Sequence, residues 1–203
     1  MKFFRTPTPV RWLFHRRVWG FSRKEGFVYL TFDDGPTVEL TEQILGVLDD
    51  HDVKATFFCV GENAKLYPKL MESMQSKGHV IGNHTMRHEK GTKVSWKDYS
   101  DSIGQAQDVI ESPLFRPPYG RVRMDKARKL RKNFKVVMWT WLSYDYDHSV
   151  SIEEIIEAAD RIKSGDILVL HDNLKVEDRV LKILPEIIRI VREKGLKFAT
   201  ISV

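Results

Sequence analysis

FVYLTFDDGP, residues 27–36, sets two adjacent carboxylates, Asp33 and Asp34, at the end of an apolar run. Phe, Val, Tyr and Thr in close succession favour a strand. Gly35-Pro36 then punctuates a turn. Two like charges side by side repel and must stay hydrated or find counter-charges, so an exposed turn is the plainest home for them. DDG alone carries no more than that. What the other strand ends hold decides whether this one differs.

Working outward, KATFFCVG (54–61), HVIGNH (79–84), the approach to RPPYG (116–120), KVVMWTW (135–141), DILVLH (166–171) and LKFATIS (196–202) read as further strands. Amphipathic stretches lie between them. Residues 37–51 place Leu40, Ile44, Val47 and Leu48 on one helix face, with Thr37 as the cap. Helices are also expected over 63–77, about 95–111, a short basic stretch 122–132, 151–162 with Ser151 and Glu154 as a capping box, and VLKILPEIIRIVREKG (180–195) with Pro185 inside its pattern. Seven strands interleaved with six helices imply parallel strands joined by right-handed crossovers. The strands are too apolar to leave one face wet. A complete eight-unit barrel takes about 250 residues, so 203 residues point to an α/β fold that is an incomplete barrel or an open sheet. In both architectures a ligand site forms at the carboxyl ends of the strands.

Hydrophobic residues at 42% and charged residues at 30% describe an ordinary globular chain with a sizeable core. Its net charge of +5 is unevenly placed. Residues 1–26 carry seven Lys or Arg against Glu25 alone, so the remainder is close to neutral. We therefore expect a basic aromatic arm over 1–25 and one domain over 26–203. The arm interleaves its cations with Phe3, Phe4, Trp12, Leu13, Phe14, Trp19 and Phe21. That composition suits peripheral contact with an anionic membrane surface or a strap packed on the domain, and the strap is favoured. No apolar stretch in the arm is long enough for a spanning helix or the centre of a signal peptide, which leaves a cytoplasmic or membrane-peripheral location open. Nucleic-acid binding is not expected, because the positive charge belongs to the arm alone. The single Cys59, in TFFCV, reads as a small core residue.

The residues that follow the strands change the reading of DDG. Asp33 and Asp34 follow the first, His84 the third, Arg116 the fourth, Asp145 the fifth and His171 the sixth, and every one is ionisable. In HTMRH (84–88) the two histidines are four apart, which on one helical turn places them on the same face. With Asp34 they would form a set of two histidines and one carboxylate, with a position left open for water, as in catalytic zinc sites. One divalent ion is expected, Zn²⁺ first, with Co²⁺, Ni²⁺ or Fe²⁺ also compatible. His15, His51, His79 and His148 lack such company. Hydrolysis at a metal also needs a base, an oxyanion donor and an acid. Asp33 is placed to be the base, with Arg116 keeping it ionised. His171 would be the acid if Asp145 held it protonated. The rigid RPPYG turn offers the Tyr119 amide to an oxyanion. Tyr144, Tyr146, Trp139 and Trp141 offer aromatic surface for a sugar ring, although period two puts both tryptophans on one side, so some must be core. Read from the residues alone, the chemistry is metal-dependent hydrolysis of an amide or ester.

From about Val28 to Ile201 the sequence resembles the polysaccharide deacetylases, carbohydrate esterases with a NodB-homology domain. TFDDGP (31–36), HTMRH (84–88), FRPPYG (115–120) and VLH (169–171) fit the family's motifs, and ATFFCVG (55–61) and GHVIGNHT (78–85) its framework. The resemblance implies Asp33 as base, Asp34, His84 and His88 as metal ligands, Arg116 orienting the base, Tyr119 as amide donor and His171 as acid. It also implies a distorted seven-stranded (β/α) barrel, TIM-barrel-like and incomplete, that removes N-acetyl groups from an amino-sugar glycan. The fourth motif departs. The family commonly has Asp, two residues, Asp and Trp, whereas LSYDY (142–146) has Leu142 for the first Asp and Tyr146 for Trp, keeping only Asp145. The substitutions bear on substrate preference and the pocket wall. A small-molecule amidohydrolase, an O-acetyl xylan esterase and an impaired glycan-binding protein remain as rivals.

Overall fold

The computed structural model describes residues 2–202, so Met1 and Val203, the outermost residues of the expected arm and domain, lie outside the described residues. Eight strands form one sheet: β1 (Phe27–Asp33), β2 (Thr56–Cys59), β3 (Val80–Asn83), β4 (Leu114–Phe115), β5 (Lys135–Val136), β6 (Trp141–Leu142), β7 (Ile167–His171) and β8 (Lys197–Phe198). Their order is β5-β4-β3-β2-β1-β7-β6, with β8 added to β1. Every pairing between them is parallel. β1 is central and fully buried beyond its first residue, which explains its unbroken apolar character.

β5 and β6 lie at opposite ends of that order, yet only residues 137–140 separate them in the chain. The five steps from Val136 to Trp141 reach at most about 18 Å. The sheet must therefore curl until its two ends nearly meet, which makes it an incomplete, distorted barrel. The expected strand KVVMWTW breaks in two for this reason: its first half belongs to one end of the sheet and its second half to the other. The break also undoes the period-two expectation for the tryptophans. Trp141 is fully buried in the large cluster with Leu168, Leu170 and Ile155, whereas Trp139 packs on the separate clusters around Phe115 and Phe58.

The N-terminal residues run along the seam between the two ends. Leu142 N–H donates to the Phe4 carbonyl, Thr6 N–H to Thr140, Val18 N–H to Val136, Met138 N–H to Val18 and Phe21 N–H to Gly165. Arg5 grips Asp166 with both guanidinium ends at 2.6 and 2.7 Å. Between these contacts, Pro7 and Pro9 open a short helix, α1 (Thr8–Leu13), that the sequence reading did not anticipate.

The remaining helices are α2 (Leu40–Asp50), α3 (Gly61–Leu66), α4 (Pro68–Ser76), α5 (Trp96–Ile110), α6 (Met124–Leu130), α7 (Ile152–Ala159) and α8 (Glu177–Glu193). The helix expected over 63–77 is two helices, because Pro68 restricts the residue before it and Tyr67 turns out of the helical region. Thr37 is not the cap of α2: its hydroxyl donates to the Asp172 carbonyl and its N–H to Thr41 Oγ1. Ser151 and Glu154 do form the capping box of α7. α8 continues through Pro185 and buries Ile183, Leu184, Ile187 and Ile188. Cys59 is fully buried.

Candidate active site

β1, β3, β4 and β7 deliver their last residues to the same end of the barrel. Asp33 pairs in register with His171 across β1 and β7, while His84 and Arg116 follow directly on β3 and β4. Non-glycine residues in the left-handed region concentrate at this end: Asp34 (φ 82°), Thr85 (67°), His88 (57°), Tyr119 (59°) and Tyr144 (58°). Such backbone costs of order 1–3 kcal/mol per residue and persists only where surrounding contacts enforce it.

Those contacts are visible at each turn. Asp34 N–H donates to the Phe58 carbonyl, and Asn63 Nδ2 donates to the Asp34 carbonyl at 2.9 Å. The next residue must be glycine, since a Cβ on Gly35 would lie 2.1 Å from Asp172 Oδ2. HTMRH is not a helical turn. Asn83 Oδ1 accepts from Thr85 N–H and Ser102 Oγ from Met86 N–H, bending the chain sharply after β3. The two histidines converge because Thr85 and His88 reverse the backbone, not because four residues complete a turn of helix.

Asp34, His84 and His88 each offer a ligand atom, all within 4.8 Å of one another. Asp34 Oδ1 lies 3.1 Å from His88 Nε2 and 3.6 Å from His84 Nε2. Those separations bracket the roughly 3.3 Å between ligand atoms of a tetrahedral ion with bonds near 2.0–2.1 Å. Further partners fix which atoms point inward. His84 Nδ1 lies 2.7 Å from the Arg116 carbonyl oxygen, so it carries the proton and Nε2 keeps its lone pair. Asn173 Nδ2 donates to Asp34 Oδ2 at 2.7 Å, leaving Oδ1 toward the histidines. Burial lowers the His84 pKa to about 4, with His88 and Arg116 adding to the effect, so the ring is a neutral ligand at neutral pH. Burial works against the Asp34 carboxylate, but the hydrogen bond to His88 and the nearby His171 and His84 hold its pKa well below the usual carboxylate range. The donor set and its second partners fit a divalent cation.

Two ion pairs flank this triad. Arg116, with no exposed surface, donates through Nη1 to Asp33 Oδ1 at 2.6 Å and to Thr31 Oγ1 at 2.7 Å, and through Nη2 to the Met138 carbonyl. Its guanidinium lies 4.1 Å from the Phe58 ring centre. On the other side, Asp145 Oδ1 meets His171 Nδ1 at 2.7 Å, and Asp145 Oδ2 accepts from the His171 N–H, also at 2.7 Å. Burial opposes charge on His171, but the Asp145 carboxylate, with Asp34 and Asp33 beyond it, raises the pKa to about 9.

The aromatic rings divide. Tyr119, 58% exposed, packs on His88 at 4.6 Å, and Tyr146, 41% exposed, stands edge-on to His171 at 4.9 Å. Tyr144 is tied to the arm, its ring on Phe4 and its hydroxyl donating to the Phe3 carbonyl. Trp141 is core. Leu142, where the family pattern has Asp, lies in β6 with its N–H taken by Phe4.

A family model described as polysaccharide deacetylase matches residues 22–139, a span that takes in Asp33, Asp34, His84, His88, Arg116 and Tyr119. This chain belongs to the polysaccharide deacetylase family. Among known polysaccharide deacetylases, a peptidoglycan-N-acetylglucosamine deacetylase of Bacillus cereus is 33% identical over 96% of this chain and 74% of its own length. A chitooligosaccharide deacetylase of Azorhizobium caulinodans is 30% identical over 79% of this chain and 80% of its own. The crystal structure of the Bc1960 peptidoglycan N-acetylglucosamine deacetylase superposes with a TM-score of 0.88 at 31% identity, covering 96% of this chain and 95% of that one.

In this chain the site is an Asp/His/His set able to hold a metal ion, with an ion pair on each side. The sequence reading missed Asn63, Asp172 and Asn173. Asp172 accepts a 2.6 Å hydrogen bond from Thr41 Oγ1, and burial raises its pKa to about 7, helped by the charge of Asp34. A signal for two of them was present: HDN (171–173) closes β7 with three polar residues, of which only His171 was read as functional.

Proposed function

We propose that this chain removes N-acetyl groups from amino-sugar polymers or oligomers of the peptidoglycan or chitin kind, releasing acetate. The observation that carries the reading is the placement of Asp34, His84 and His88 between the Asp33–Arg116 and Asp145–His171 pairs. The relatives that align over most of the chain act, by name, on such glycans.

A divalent ion held by Asp34, His84 and His88, Zn²⁺ in our reading, would supply Lewis acidity and a water of lowered pKa. Asp33 takes the proton of the attacking water at Oδ2, the oxygen that Arg116 leaves free. Arg116, fixed by Thr31 and the Met138 carbonyl, holds that carboxylate ionised and aimed. The Tyr119 N–H stabilises the developing oxyanion. His171, bound to Asp145 through Nδ1, delivers a proton from Nε2 to the departing amine nitrogen. The exposed rings of Tyr119 and Tyr146 stand on either side, as walls for a sugar.

A raised histidine pKa gives the acid its working range. His171 must be protonated to act, so kcat/KM of the metal-loaded chain is expected to fall on the alkaline side, at a pH below the value of about 9 that Asp145, Asp34 and Asp33 give the ring, since the cation offsets Asp34. Asp145→Asn should move that limb toward the ordinary histidine value of about 6.5. The same pair contributes stability that is fully present below about 6.5 and is lost as pH rises through about 9. A pH–rate series on both proteins measures the first effect. An alkaline limb that Asp145→Asn leaves in place would remove Asp145 from this role.

Acetate assays on the metal-loaded chain decide the substrate. Release from N-acetylglucosamine oligomers or peptidoglycan, absent after metal stripping, is the expected result. Release from O-acetylated xylan alone would make it an esterase, and release only from a small non-sugar amide an amidohydrolase. Glycan affinity without acetate, unchanged by Asp33→Asn, would make it a binding protein. Elemental analysis of protein purified without added metal identifies the ion.

A further inference from the structure

The N-terminal residues split into two faces. Phe4, Arg5, Thr6, Val18 and Phe21 turn inward, into the seam of the sheet. Residues 7–16 loop outward between them and include α1, none of whose residues is buried. At its end Trp12 is 78% exposed, Leu13 56% and Val10 38%. Val10 and Leu13, three apart, share a side of the helix.

Cations surround this apolar tip. No ion pair among the described residues engages Arg11, Arg16, Arg23 or Lys24. Arg11, His15 and Arg23 line a groove of about 410 Å³ beside Trp12 and Trp19. Arg11 Nε is shielded from water there and has no hydrogen-bond partner among the described residues. Asp166, the acidic residue of the groove, is paired with Arg5, so Arg11 and Arg23 face it with no carboxylate partner among the described residues, next to an exposed indole and leucine.

We propose that this tip, residues 7–16 with Arg23 and Lys24 beside it, docks on an anionic bilayer surface. Trp12 and Leu13 enter the headgroup boundary, where an indole finds both an apolar and a polar environment. Arg11, Arg16, Arg23 and Lys24 meet lipid phosphates, as juxtamembrane basic clusters do. Charge complementarity selects this occupant, because the rest of the chain is nearly neutral and the charge is concentrated where the apolar side chains emerge. A nucleic acid would satisfy the cations but not Leu13 and Val10. The seam holds the two ends of the loop, so the tip is offered in a fixed orientation and binding need not order it.

The test sediments the full chain with phosphatidylcholine vesicles, with and without phosphatidylglycerol. Binding is expected only with the anionic lipid, falling as salt rises. Trp12→Ser with Leu13→Ser, and separately Arg16→Glu with Arg23→Glu, should each lose roughly tenfold or more in vesicle affinity. Both pairs are exposed, so thermal melting should match the parent and show that the fold is intact. Equal binding to neutral vesicles, no binding at all, binding that survives both double variants, or tighter binding to duplex DNA than to the anionic vesicles would each overturn the proposal.

Discussion

Asp33→Asn is expected to lower kcat by about 10²–10⁴-fold, the usual contribution of a general base, while the protein still takes up its metal. The amide cannot accept the proton, yet its oxygen can still receive the 2.6 Å hydrogen bond from Arg116. None of the three ligand atoms is altered. His84→Ala makes the contrast, since it removes a ligand and vacates the place where Nδ1 meets the Arg116 carbonyl. It should lose both metal and turnover. Steady-state kinetics beside elemental analysis separate the two variants. Metal loss in the Asp33 variant would mean that the neighbouring carboxylates divide their work differently, and unchanged kcat would remove Asp33 from the chemistry.

Arg116→Ala should have the largest effect on stability, about 3–5 kcal/mol, because it leaves a carboxylate in the interior without its counter-charge. Asp33 is 5% exposed and Arg116 not at all. The truncation also empties the space against Phe58 and strands Thr31 and the Met138 carbonyl. For a chain of this size the loss corresponds to a fall in Tm of about 10 °C, readable by calorimetry. Adding Asp33→Asn removes the stranded charge, so the double variant should be more stable than the two single losses predict. Strict additivity, or a Tm close to that of the parent, would show that the pair carries no such coupling.

Much of this architecture was legible because parallel strands write themselves as apolar runs. Each run in the sequence contains strand residues, KVVMWTW those of two strands rather than one, and Asp33, His84, Arg116 and His171 lie at the carboxyl end of the sheet. What escaped depends on backbone reversals and neutral side chains. HTMRH suggested a helix by its spacing, but the spacing is indifferent to the left-handed Thr85 and His88 that bring the rings together. Asn63 and Asn173 carry no charge and belong to no pattern of period, so their hold on Asp34 exists only once strands distant in sequence are adjacent. The regular alternation of KVVMWTW concealed a bend, because the residues that cross from one end of the sheet to the other are as apolar as those within a strand. Leu142 and Tyr146 were visible as departures, and the structure adds that Leu142 is bound to Phe4.

The seam also dictates an order of assembly. Thr6 hydrogen-bonds a partner 133 positions away and Arg5 one 161 positions away, closures that come late because the intervening chain must first be gathered. A polypeptide emerging from the ribosome makes these residues well before their partners. The segment is thus expected to find its place late, and a nascent chain halted before Val136 would present it whole to its surroundings.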